Sequence, residues 1–100
     1  MPGMQRTTQA EEDLIEIWIY SARQWGEAQA DKYLHTLEAC CRKIDSGEIA
    51  GKQPLSSYPR LRVVRCGQHY LFFLTGEVLV LIAVLHEKMD CIARLQSRFA

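Results

Sequence analysis

The hydrophobic period of this 100-residue chain changes once along its length, and that change decides what it can fold into. Up to about residue 46, apolar side chains recur every three or four positions, as on a helix with one buried face. From Leu61 onward they fall in short branched and aromatic runs, the signature of strands. Between the two lie residues 48–59, a loop by its Gly51, Pro54, Pro59 and two serines. Helices first and strands afterwards, without alternation, predict an α+β fold in which a helical hairpin packs on a three-stranded antiparallel sheet. The length allows one domain, residues 1–100. A core this small leaves the monomer marginal and leaves little room for a large enzyme pocket.

The first helix is expected at Thr8, where Thr8-Gln9-Ala10-Glu11 fits a capping box, and it runs to about Gln24. Glu11, Glu12 and Asp13 complement the macrodipole of its first turn. Trp25-Gly26 interrupts the pattern and reads as a packed turn. A second helix resumes at Ala30 and ends near Ser46-Gly47, so the two form an antiparallel hairpin. Trp18, Tyr20, Trp25 and Tyr33 lie on it and are read as core aromatics. Strands follow at 61–66, 69–75 and 78–85, with Gly67-Gln68 and Gly76-Glu77 as two-residue turns. In that register Cys66 faces His69, Arg62 faces Phe73, and Phe73 faces Val80. The tail 88–99 carries Met89, Ile92, Leu95 and Phe99 at helical spacing and reads as one short helix, the element least fixed by pattern.

This register makes the sheet apolar on both sides, with Leu61, Phe72, Leu74, Leu81 and Leu85 sharing one face, and a helical hairpin can cover only one of the two. Five large side chains left bare would forgo about 1.5–3 kcal/mol each. Two covers fit: the chain's own tail, or a second polypeptide docking on this face.

Twelve basic and twelve acidic side chains give zero formal charge, which argues against a surface built wholly for nucleic acid. Residues 1–50 hold five basic and nine acidic side chains, whereas residues 51–100 hold seven and three. The positive charge gathers at Arg60, Arg62, Arg65, Arg94 and Arg98, either as a solvated rim or as anchors for a partner's carboxylates or phosphates. The opening residues lack a secretory signal, and no stretch reaches the roughly 18 apolar residues of a membrane span, so a cytoplasmic protein without a membrane partner is expected. Adjacent Cys40 and Cys41, with isolated Cys66 and Cys91, show no disulfide pattern and favour a reducing compartment. Cys66, His69 and His86 gather at one end of the sheet, but diagonal neighbours lie about 7–8 Å apart and no fourth ligand is spaced to join them. Neither a metal nor a cofactor is expected. His69, His86 and Tyr70 with nearby arginines are the raw material of an acid–base ribonuclease, though such residues occur by chance in any chain of this class.

Taken in order, Ala10-x-x-Asp13-Leu14, Ile17, Tyr20 and Trp25-Gly26-x-x-Gln29-Ala30-x-x-Tyr33 resemble the helical hairpin of ParE toxins. Pro59-x-Leu61-Arg62, Gly67-x-His69-Tyr70-x-Phe72-Phe73, Val84-Leu85-His86-x-x-Met89-Asp90 and Arg94-Leu95 resemble the strands and C-terminal segment of the same family. The resemblance spans about residues 10–95. It implies a small α+β toxin of a type II toxin–antitoxin system, its sheet three- to four-stranded with a short N-terminal strand added, that inhibits DNA gyrase and belongs to a family not known for a chemical reaction of its own. It also implies a ParD-like antitoxin whose disordered C-terminal portion folds on the toxin in a hetero-oligomer, with no sequence-specific contact to nucleic acid. The wider superfamily offers an alternative, the RelE-like ribosome-dependent cleavage of messenger RNA. A third reading is a toxin fold that only sequesters an antitoxin. The chain departs from the family at Pro2-Gly3-Met4-Gln5-Arg6-Thr7, a poor strand where an apolar one is expected. Arg62, Arg65, Tyr70, Phe72, His86 and Arg94 are the residues expected to contact partners.

Overall fold

The computed structural model describes residues 3–99. In chain order it comprises β1 (Gln5–Arg6), α1 (Thr8–Trp25), α2 (Glu27–Asp45), β2 (Leu61–Cys66), β3 (His69–Leu74), β4 (Val80–His86) and α3 (Cys91–Phe99). The α+β class, the hairpin and the β2–β3–β4 meander follow the pattern of the sequence.

The cap of α1 sits one residue earlier than expected. Thr7 is the N-cap, its hydroxyl accepting from the Ala10 amide at 3.1 Å. The reason is upstream: Gln5 and Arg6 pair in parallel with Val80 and Leu81, and the Thr7 amide donates to the Leu81 carbonyl at 3.0 Å. That bond ends the strand at Thr7 and leaves this threonine to turn the chain into the helix. The weak opening does therefore form a short strand, and the sheet is mixed, not antiparallel throughout. Pro2 lies outside the described residues. Gly26, at φ 90°, closes α1 and opens α2, which starts three residues earlier than Ala30. This joint is not packed, since Trp25 beside it is 61% exposed.

The strand order is β1-β4-β3-β2. Between β2 and β3 the expected register holds, from Leu61 opposite Leu74 to Cys66 opposite His69, across a two-residue turn with Gly67 at φ 60°. Between β3 and β4 it does not. Residues 75–79 form a longer loop, Phe73 faces Leu81, and Leu71 faces Val84, with a bulge that leaves Ile82 as the extra residue. Gly76 serves a close approach and not a tight turn. A Cβ there would lie 2.7 Å from the Arg60 guanidinium, whose Nε donates to the Thr75 carbonyl at 2.7 Å.

The bulge redistributes β4 between two cores. Leu81 and Val84 join Leu14, Leu37, Ile44, Val64 and Phe73 under the helical hairpin. Ile82, Ala83 and Leu85 join Leu61 and Phe72 on the opposite face, where α3 lays down Leu95 with no exposed area. The chain's own tail is thus the cover, and no second polypeptide is needed to bury that face. Met89 and Ile92, expected in this contact, stay 44% and 43% exposed. Asp90 starts α3, its Oδ1 accepting from the Ala93 amide at 3.2 Å.

The cysteines also depart from expectation. Cys40 on α2 and Cys66 at the end of β2 form a disulfide across 26 residues of sequence. Only folding α2 onto the hairpin end brings them together, so spacing alone did not reveal the pair.

Candidate functional site

A groove of about 910 Å³ opens between the second half of α1, the start of α2, the β2–β3 turn, the end of β4 and the approach to α3. Its rim is apolar and solvent-facing: Tyr20 is 60% exposed, Trp25 61% and Met89 44%. Tyr20 and Trp25 meet edge to face, ring centroids 6.1 Å apart. Their exposure corrects their reading as core residues. Tyr20 points away from the buried stripe of Ala10, Leu14 and Ser21, whereas Trp25 continues that stripe but is the last residue of α1, past the buried part of the helix.

The floor is polar and ordered. The Tyr33 hydroxyl accepts from the Gln68 amide at 3.1 Å and lies 2.5 Å from His69 Nδ1. Burial raises the Tyr33 phenol above its ordinary value, so the hydroxyl stays protonated beside Nδ1. His86 is directly opposite, ring centroids 5.1 Å apart, and its Nδ1 accepts from the Lys88 amide at 3.1 Å. Each imidazole is thus anchored through Nδ1, which leaves its Nε2 edge as the one free to meet an occupant. Burial, and then the neighbouring His86 charge, push His69 down to about 4, with Glu87 opposing. Gly67 is required by this arrangement, because a Cβ there would sit 2.9 Å from the Tyr33 ring and hydroxyl.

One wall is pinned by a pair that joins the chain's two ends. Arg98 donates Nη1 and Nη2 to the two Asp13 oxygens at 2.7 and 2.9 Å, and Nη1 also to the Ile82 carbonyl at 2.8 Å. Asp13 Oδ2 accepts from the Val84 amide at 2.9 Å. The open edge of β4 beyond β1 is thereby closed by a carboxylate, and α3 is tied back to α1.

The six expected contact residues do not form one patch. His86 and Arg94 line the groove. Arg65 pairs with Glu87 and stands 6.0 Å over the Tyr70 ring, away from the groove lining. Arg62 is half-buried on β2, and Phe72, 4% exposed, lies in the second core and is withdrawn from the surface. Sequence reasoning missed the exposed Trp25, Tyr20 and Met89. The signal available for them was their place in the family motifs. Cys66 does face His69, but its sulfur is bonded to Cys40, and among the described residues no three metal-ligating groups are gathered.

The model of the ParE toxin of the type II toxin–antitoxin system parDE matches residues 5–91. The chain belongs to the ParE toxin family. It is 40% identical over 94 residues to Toxin ParE of Escherichia coli, covering 92% of this chain and 91% of that one. It is 33% identical over 86 residues to Toxin ParE1 of Caulobacter vibrioides, covering 86% and 90%. Among solved structures, a chain of the "Chromosomal ParDE TA system from P. aeruginosa" superposes with a TM-score of 0.72 over 86% of this chain and 96% of its own. At 16% identity that likeness speaks for the shared fold alone. Within this ParE chain the motif residues Trp25, Tyr33, Gly67, His69, His86 and Met89 converge on the groove or its rim. None of the helices among the described residues is long and apolar enough to cross a membrane.

Proposed function

We propose that this ParE-family toxin inhibits DNA gyrase and is neutralised by a ParD-like antitoxin that docks in the groove. One observation carries the docking: a preformed groove whose rim holds Tyr20, Trp25 and Met89 exposed beside the paired His69 and His86 rings. Exposed aromatic rings around a concave floor are the usual anchors of protein recognition. His86 and Arg94 supply donors for carboxylates or carbonyls of the occupant, while Arg65 and Tyr70 form a second contact area. Gyrase as the target rests on family membership. The family model matched over residues 5–91 is that of a toxin from a toxin–antitoxin system, which supports an antitoxin as the partner class.

The decisive test is a supercoiling assay with purified toxin. Inhibition with accumulation of cleaved DNA, relieved by the antitoxin, is expected at micromolar toxin; unaltered gyrase activity would reject the target. Trp25→Ala is expected to weaken antitoxin binding about tenfold or more. Ile15→Ala, outside the groove though 59% exposed, is the matched control. The Tyr33–His69–His86 cluster beside Arg94 favours messenger-RNA cleavage as a second reading. Intact transcripts on toxin-treated ribosomes would remove it.

A further inference from the structure

Cys40 and Cys66 take no part in the groove's contacts, yet the sulfur pair is arranged for exchange. Cys66 is 4% exposed, whereas Cys40 on the outer helix is only half-buried. An incoming thiolate therefore meets the Cys40 sulfur first, and Cys66 is the one that leaves. The leaving sulfur has an acceptor close by, the Thr36 carbonyl oxygen at 3.6 Å, to which a reduced Cys66 thiol can donate. The other two cysteines are poor competitors. Cys41 is buried in the first core and Cys91 packs against the second, and burial raises both thiols.

Cys40 also lies seven residues after Tyr33, on the same face of α2. Tyr33 holds Gln68 and His69, and Cys40 holds Cys66, so both grip the hairpin end that forms part of the groove.

We propose that Cys40–Cys66 is a redox modification site, closed by a small disulfide of the glutathione type and opened by the corresponding thiol, and that closing it clamps this wall of the groove. In closing, the Cys40 thiolate attacks one sulfur of the small disulfide, forms a mixed disulfide and expels one thiolate. The Cys66 thiolate then attacks the Cys40 sulfur and expels the second. Two protein thiols are oxidised, one small disulfide is reduced to two thiols, and the protons lost by the cysteines end on them.

The test equilibrates the full chain in glutathione buffers of graded ratio, quenches with acid, alkylates the free thiols and maps the peptides. A single Cys40–Cys66 cross-link should grow with the oxidised fraction while Cys41 and Cys91 remain alkylated. Under native conditions Cys66→Ser should collect a glutathione adduct on Cys40, and Cys40→Ser should collect none on Cys66. The oxidised wild-type protein should melt about 10 °C or more above the reduced form, as expected for a closed loop of this size. Its amides at 67–69 should exchange more slowly. Free thiols at every ratio in the folded wild-type chain, a cross-link between other cysteines, or an adduct on Cys66 would overturn the site. Equal exchange at 67–69 in both forms would overturn the clamp.

Discussion

The two faces of the sheet are both apolar, but they are covered by unequal means. One lies under helices of 18 and 19 residues joined through a single glycine. The other lies under a nine-residue helix at the end of the described chain, helped by Leu55 and Tyr58 from the long loop. A helix shorter than about 12 residues has little stability of its own in water. The first cover is part of what makes the fold cooperative; the second is held by a few named contacts. Leu37 and Leu95, both fully buried, probe the difference. Either changed to alanine should lose about 2–5 kcal/mol in denaturant unfolding. Leu37→Ala should weaken the whole domain, whereas Leu95→Ala should release α3 and let the uncovered face bind a hydrophobic dye. Two dye-negative variants with identical unfolding profiles would erase the distinction.

Asp13 fastens the weaker cover to the stronger one. Asp13→Ala deprives both Arg98 and the Val84 amide of their partner in a setting where the two charged side chains are only 12% and 15% exposed. A loss of about 2–3 kcal/mol is expected. Adding Arg98→Ala should cost less than its single effect, since the guanidinium is already orphaned. Full additivity in the double-mutant cycle would show that the pair does not act as a unit.

The groove between the covers should respond to acid through His69. Its folded value near 4 lies below the ordinary 6.5, so above pH 6.5 both folded and unfolded chains hold the neutral ring and stability is complete. As pH falls from about 6.5 to about 4, the unfolded chain takes up a proton that the folded one refuses, and stability declines; below that the contribution is flat. Tyr33, His86 and Glu87 surround the ring, so the comparison must be with His69→Gln. The wild-type melting temperature should drop further across this window than the variant's. Parallel curves would remove His69 from the account.

What was legible in the sequence follows the same division. The β2–β3 register could be read because Gly67 permits a two-residue turn, and the turn then sets every pairing back to Leu61. The β3–β4 register could not, because the same Gly-X signal at Gly76 answers to the passage of the Arg60 side chain, a tertiary contact. The bulge at Ile82 is likewise tied to Arg98, which reaches its carbonyl from 16 residues away. In the groove, the family motifs named Trp25, His69, His86 and Met89, but periodicity could not say that Trp25 faces solvent. The Asp13–Arg98 pair and the Cys40–Cys66 bond span 85 and 26 residues, and neither has a local signal.

The smallest expected effect tests whether the weaker cover has a second fastening. Tyr58, on the loop before β2, stacks on Phe99 at the end of α3, with centroids 4.5 Å apart and planes 8° from parallel. Such a pair contributes about 0.5–1.5 kcal/mol beyond its buried area, and Tyr58, at 39% exposed, belongs at the lower end. If the stack helps to hold α3, Tyr58→Ala and Phe99→Ala should couple by about 0.5 kcal/mol in a double-mutant cycle, and each should speed amide exchange in α3 before it alters the helical hairpin. Zero coupling would leave Asp13–Arg98 and the apolar packing of Leu95, Cys91 and Phe99 as the attachment. The loop would then pack beside α3 without securing it, and the contrast between the two covers would be steeper still.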